Sequence, residues 1–142
     1  MRNKTLYLWV SAGCFLAACT FSCQSGSKRA YDPNNPYLPS SPLAAVMREM
    51  VETLEKEKPS RAKGEFLPMD KDLFHEIKTA TPTKASDASL TFYGMADGFL
   101  GVLDTYNQSP NQVHYNALID ACVSCHQNFC EGPITRIKKL KL

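Results

Sequence analysis

Apolar residues recur at spacings of three and four along four stretches of this 142-residue chain, and such spacing predicts amphipathic helices. The first helix is predicted to begin with Ser41 as its N-cap and Pro42 in its first turn. Because proline interrupts helical hydrogen bonding, Lys58-Pro59 is expected to end it. A shorter second helix is predicted from about Met69 to Ala80, with Leu73, Phe74 and Ile77 facing inward.

Two further helices are predicted in the C-terminal half. Ser86 or Asp87 is expected to cap the third helix, and Asn107 to Pro110 to form the turn that follows it. The fourth helix is predicted from about Asn111 to a stop at Gly132-Pro133. The third helix carries an apolar seam of the kind found in helix bundles: Phe92, Ala96, Phe99, Leu103 and Tyr106. No stretch alternates as a strand does, so the predicted fold is an all-α, antiparallel four-helix bundle.

The fourth helix contains a cysteine motif with defined chemistry. Cys122, Cys125 and His126 form C-x-x-C-H, the attachment signature for haem c. Two thiols three residues apart lie nearly one helical turn apart and can each form a thioether with one porphyrin. The adjacent imidazole can then bind the iron as its proximal ligand. A zinc half-site or a redox dithiol would be the alternatives, but the chain has no second C-x-x-C and no βαβ pattern.

The N-terminus has the pattern of an export signal. A basic start, Met1 to Lys4, precedes an apolar run from Leu6 to Ala18 that is too short to span a bilayer comfortably. The run ends in Leu-Ala-Ala-Cys, which resembles the bacterial lipobox and implies that Cys19 is lipidated and anchors the protein to a membrane. Thr20 at the next position favours the outer membrane by the same resemblance, with the folded body facing the periplasm.

These features divide the chain into four segments. Residues 1–18 are predicted to be the signal peptide, and residues 19–41 a flexible tether rich in proline, serine and asparagine. Residues 42–131 would form the haem domain and residues 132–142 a basic tail. Arg2 and Lys4 account for the whole formal net charge of +2, so the chain from Cys19 onward is balanced and is not expected to bind nucleic acid.

The layout resembles the cytochrome c-prime family, including its low-spin, methionine-ligated members. The resemblance covers roughly Ser41 to Cys130 and is most specific at Cys122-Val-Ser-Cys125-His126-Gln-Asn-Phe129. It implies that His126 is the proximal ligand and that a first-helix residue faces the other side of the iron. Family members carry a basic residue four positions after the histidine, where this chain has Cys130.

The resemblance directs attention to Met47 and Met50 on the first helix. Either thioether would complete a low-spin iron, with Met47 preferred, Met50 next and His75 third. Core filling is the alternative role for both methionines, and Leu43 or Val46 would then cover an open iron. His114 lies on the same helix as His126 and therefore cannot reach the opposite haem face.

Three basic residues are candidates to pair with the haem propionates: Arg48, Arg136 and Lys138. Cys130 is expected to be a buried thiol or to form a disulfide with Cys23.

The leading functional hypothesis is a monohaem cytochrome that carries single electrons between periplasmic or membrane redox partners. The alternative is a five-coordinate haem protein that binds nitric oxide or carbon monoxide. A peroxidase-like enzyme is less favoured because no distal His/Arg pair can be placed. A thiol-based lipoprotein without haem, and assembly into a homodimer, also stay open at this point.

Overall fold

The computed structural model describes residues 41–142, and these residues form helices and no strand. The α-helices are α1 (Pro42–Arg61), α2 (Lys71–His75), α3 (Leu90–Gln108), α4 (Gln112–Phe129) and α5 (Ile134–Lys138). Two 3₁₀ turns span Glu76–Lys78 and Ala85–Asp87. The predicted all-α class is therefore confirmed for the described residues, and none of their helices is long and apolar enough to cross a membrane. The predictions for the signal peptide, Cys19 and the tether up to residue 40 lie outside this range.

The start of α1 is confirmed and its predicted end is wrong. The Ser41 hydroxyl accepts a hydrogen bond from the Ala44 amide at 3.2 Å, and Pro42 occupies the first turn. The helix passes through Pro59 and ends at Arg61. A proline this close to the C-terminus removes one backbone bond only, and the Ala62 amide restores the ladder by donating to the carbonyl of Lys58 at 2.9 Å.

The second predicted helix is shorter than expected. Asp70 caps α2 by accepting from the Asp72 amide at 2.9 Å, and the chain tightens into a 3₁₀ turn after His75. This turn keeps Phe74 and Ile77, three residues apart, on one buried face. The ring of Phe74 packs 6.1 Å from that of Phe99, so tertiary contact rather than helix length buries the segment.

The third helix begins later than predicted. Ser86 and Asp87 lie in the 3₁₀ turn, and Ser89 is the residue that caps α3, where its hydroxyl accepts from the Phe92 amide at 3.2 Å. The apolar seam is confirmed, since every member is buried. The predicted start of the fourth helix is confirmed: Asn111 caps α4 by accepting from the His114 amide at 2.9 Å.

Helices α3 and α4 form an antiparallel pair. Phe92 near the start of α3 meets Phe129 at the end of α4, with ring centroids 5.5 Å apart. At the other end of the pair, Tyr106 meets Tyr115 at 6.3 Å. The C-terminal end of α1 joins this far end through Arg61, whose guanidinium lies 5.1 Å from the Tyr115 ring centre.

The basic tail packs into the helical body. Ile137 of α5 and Leu140 after it are buried in the common core. The hydroxyl of Tyr115 donates to the carbonyl of Leu140 at 3.1 Å, and the Leu142 amide donates to the Asn116 side chain at 3.1 Å. Residues 132–142 therefore supply part of the core.

Candidate functional site

A cavity of about 640 Å³ lies between α1 and α4. Its volume is within the range of roughly 300–1,000 Å³ that holds ligands of drug size. Helix α1 packs mainly against α2 and the turn at Glu76–Lys78, whereas α4 packs against α3 and α5, so the cavity occupies the space between the two groups. Apolar side chains from several elements line it: Leu43, Val51, Leu54, Phe92, Phe129, Ile137 and Leu140.

The cysteine motif forms one wall of this cavity. Cys122, Cys125 and His126 all line it, because their spacing keeps them on one face of α4. Burial, with the nearby Cys125 thiol as a smaller cause, raises the pKa of Cys122 to about 12. Burial also raises the pKa of Cys125. A redox dithiol needs a thiolate and therefore a lowered pKa, so this environment argues against that alternative.

The imidazole of His126 is held by the end of its own helix. Helix α4 ends at Phe129, and the extended backbone of Cys130 turns its carbonyl oxygen to within 3.0 Å of Nδ1 of His126. A carbonyl can only accept, so the neutral ring carries its proton on Nδ1 and keeps a lone pair on Nε2. In histidines that bind metals, a hydrogen bond from the ring nitrogen that does not bind the metal orients the ring in this way.

The facing wall comes from α1. Met47 and Met50 both line the cavity, Met47 half-buried and Met50 buried with 5 % of its surface exposed. The structure therefore brings the predicted distal candidates opposite the cysteine motif. Leu43 shares this wall, whereas Val46 is buried in the core and does not line the cavity.

The candidates for the propionates are only partly brought together. Arg48 and Arg136 line the cavity, and Lys138 is exposed elsewhere on α5. Both oxygens of the Glu55 carboxylate already bind Arg136, at 2.8 and 2.6 Å. Lys84 also lines the cavity, but no sequence pattern predicts this, because Lys84 lies in the loop after Pro82, where no motif or helical period marks it.

The two other histidines lie away from the cavity. His75 is exposed on α2, where its neighbour Phe74 faces the core. His114 lies in the first turn of α4, and its Nδ1 is 2.8 Å from the carbonyl of Ser109. The structure therefore does not place His75, the third distal candidate, opposite His126.

The third thiol of the described chain also reaches the cavity. Cys130 lines the cavity, and its side chain is exposed. The prediction of a buried thiol is therefore wrong. Cys122, Cys125 and Cys130 are not paired with one another. The alternative pairing with Cys23 lies outside the described residues. Within residues 41–142, no three His, Cys, Asp or Glu side chains converge as zinc ligands would.

Comparisons with protein-family models, with curated proteins and with solved structures found no match to this chain.

Proposed function

We propose that this protein is a membrane-anchored, monohaem c-type cytochrome that carries single electrons in the periplasm. One observation carries the proposal: C-x-x-C-H lines one wall of an apolar cavity whose facing wall presents Met47 and Met50. About 70 residues separate the two methionines from the cysteine motif, so local sequence does not bring them together. Their convergence on one cavity supports haem binding more strongly than the motif does alone.

The lining residues fit a covalently held haem. Cys122 and Cys125 would form the two thioethers, and Nε2 of His126 would be the proximal ligand. Met47 is the preferred distal ligand, with Met50 next. Arg48 and Lys84 would lie near the propionates, while Arg136 is engaged by Glu55.

Haem, when bound, supplies an iron that accepts and releases one electron. The chain would contribute His126 and Met47 as iron ligands, and the apolar side chains of the cavity would keep water from the iron. A thioether ligand and an apolar surrounding both disfavour the more highly charged ferric state, which raises the reduction potential.

The helical layout supports the resemblance to the cytochrome c-prime family. In this proposal α1, the segment of α2 with its 3₁₀ turn, α3 and α4 correspond to the four bundle helices, and α5 is an addition. Lipidation of Cys19 would anchor the protein, with the outer membrane favoured, and its partners would be periplasmic or membrane redox proteins.

Gas binding is the second candidate, and Leu43 is the observation that favours it. Because Leu43 shares the α1 wall with both methionines, it could cover an iron that has no sixth protein ligand. Nitric oxide or carbon monoxide would then enter from that side.

The absorption spectrum of the purified holoprotein tests the proposal, recorded oxidised and reduced, with and without carbon monoxide. A low-spin spectrum with a methionine–iron charge-transfer band and no carbon monoxide shift is expected. A high-spin spectrum that shifts with carbon monoxide would favour gas binding instead. Absence of covalent haem would overturn both, and the double variant Cys122→Ala/Cys125→Ala provides the haem-free reference.

A further inference from the structure

We propose that the ion pair between Glu55 and Arg136 is a positioning contact. It holds α1 so that Met47 or Met50 can reach a haem iron that His126 binds. This inference rests on the proposed function, since it requires haem in the cavity. It concerns two residues whose side chains would not themselves bind the iron.

The ion pair joins two helices that both contribute residues to the cavity lining. Glu55 lies on α1 eight residues after Met47, which is about 12 Å along the helix axis. Arg136 lies on α5 and lines the cavity that Met47 also lines. The pair thus joins the helix that carries the distal candidates to the short helix that follows the cysteine motif.

The geometry of the contact favours a defined separation. Nε of Arg136 donates to Oε1 of Glu55 at 2.8 Å, and Nη2 donates to Oε2 at 2.6 Å. Two parallel bonds between a planar guanidinium and a carboxylate restrict both distance and orientation. Lys58, about one turn further along α1, donates through Nζ to the carbonyl of Lys139, the residue that follows α5, so this segment contacts α1 at two points.

Helix α5 is in turn fixed to α4. Ile137 and Leu140 are buried, and the hydroxyl of Tyr115 donates to the carbonyl of Leu140 at 3.1 Å. A continuous series of contacts therefore runs from α4 through α5 and Arg136 to Glu55 on α1. Helix α1 packs mainly against α2 and the turn at Glu76–Lys78, and its last residue, Arg61, contacts Tyr115 of α4. The Glu55–Arg136 pair adds a connection from α1 to α5, the helix that packs on α4.

The pair is suited to positioning rather than to stabilising the fold. The side chains of Arg136 and Glu55 are 46 % and 42 % exposed, and exposed ion pairs contribute little to the free energy of unfolding. A bond between iron and a thioether, by contrast, is sensitive to small displacements of the ligand. Loss of the pair should therefore change ligation while the protein stays folded.

The test compares three full-length holoproteins with the parent protein. Glu55→Gln removes the ion pair, and Glu55→Arg/Arg136→Glu restores it with the charges exchanged. Asp104→Asn is the matched control, because it breaks the exposed Lys71–Asp104 pair, which lies away from the cavity. Readouts are the methionine–iron charge-transfer band, the rate of carbon monoxide binding to the reduced protein and the reduction potential.

Glu55→Gln is expected to weaken the charge-transfer band, to raise the carbon monoxide binding rate several-fold and to lower the potential. High salt should do the same to the parent because it screens the pair. The charge-exchanged double variant should recover the parent spectrum, and Asp104→Asn should match the parent throughout.

Equal spectra and rates for Glu55→Gln and the parent would overturn the inference, as would an equal change in Asp104→Asn. A low-spin parent with such a result would leave the proposed function intact. A high-spin parent would also overturn the inference, because no methionine would then be held. A parent without covalent haem would instead remove the proposed function itself.

Discussion

Nδ1 of His126 lies 3.0 Å from the carbonyl oxygen of Cys130, the residue that caps the C-terminus of α4. The contact is made by the main chain, and the amide of the same residue donates back to the carbonyl of His126 at 2.9 Å. A cysteine at the position where cytochromes c-prime carry a basic residue is therefore compatible with an oriented imidazole. The backbone conformation at this position, rather than the thiol, would fix the proximal ligand.

Two substitutions at Cys130 distinguish the role of its backbone carbonyl from the role of its thiol. Cys130→Ala keeps the carbonyl and should leave the spectrum of the holoprotein unchanged. Cys130→Pro removes the amide donor and cannot adopt φ −160°, so the carbonyl should move away from Nδ1 and the proximal ligation should change. Electron paramagnetic resonance of the oxidised protein measures the difference. A spectral change in Cys130→Ala would show instead that the thiol participates.

If haem is bound as proposed, its distal ligand can be assigned by comparing three methionines. Met47→Ala is expected to abolish the charge-transfer band with a modest loss of stability, since Met47 is half-buried. Met50→Ala should cost about 2–5 kcal/mol in the free energy of unfolding, because it leaves a cavity in the core, and should keep the band. Met69→Ala is the control: Met69 is similarly buried but does not line the cavity. Loss of the band in Met50→Ala alone would assign the ligand to Met50.

Arg61 is expected to stabilise the fold without affecting the haem. Its guanidinium stacks on the Tyr115 ring, its Nε donates to the Tyr106 hydroxyl at 3.3 Å, and it pairs with Glu57 at 2.5 Å. Arg61→Ala should cost about 2–3 kcal/mol, less than the removal of a partner from a fully buried pair, because Glu57 is 44 % exposed. Urea denaturation measures this cost.

Arg61→Met should cost less than Arg61→Ala, since it preserves volume and removes the buried Nη1 atom, which has no hydrogen-bond partner. The Tyr106 hydroxyl would keep its bond to the carbonyl of Leu67, at 2.8 Å. The visible spectrum should match that of the parent in both variants. Arg61, at the end of α1, contacts Tyr115 near the start of α4, whereas the cysteine motif lies near the other end of that helix. A spectral change would contradict this separation.

Tyr115 should make the protein sensitive to alkaline pH. Burial raises the pKa of Tyr115 to about 12, against the smaller opposing effect of Arg61. The unfolded chain loses this phenolic proton near its ordinary value of 10.0, whereas the folded chain retains it. Stability is therefore full below that value and falls as the pH rises from there toward about 12.

The thermal midpoint, followed from neutral pH to about pH 11, measures this loss. Tyr115→Phe should reduce the alkaline part of the decline. At neutral pH the same variant should cost about 1 kcal/mol, because the carbonyl of Leu140 loses its donor. An unchanged alkaline profile in Tyr115→Phe would show that another group is responsible.

The helices of this protein were predictable where local chemistry decides them. Ser41 and Asn111 cap α1 and α4 because each side-chain oxygen accepts from the amide three residues on, and the α3 seam follows from helical periodicity. The C-x-x-C-H motif is equally local, since one helical turn places its two thiols and its imidazole on the same face of α4. These features need no information about neighbouring elements.

Only the tertiary structure decided what happens where segments meet. Helix α1 continues past Pro59 to the buried Arg61, and the segment after Asp70 tightens because Phe74 and Ile77 pack against α3 and the core. Lys84 reaches the cavity from a loop that has no sequence pattern of its own, and the predicted candidate Arg136 reaches it from a tail whose helix was not predicted. Such contacts join residues distant in sequence, and their energies depend on burial and distance in the folded chain. The sequence by itself thus determined the starts of α1 and α4, the apolar seam of α3 and the motif, and the fold decided the remaining helix bounds and which residues face the motif.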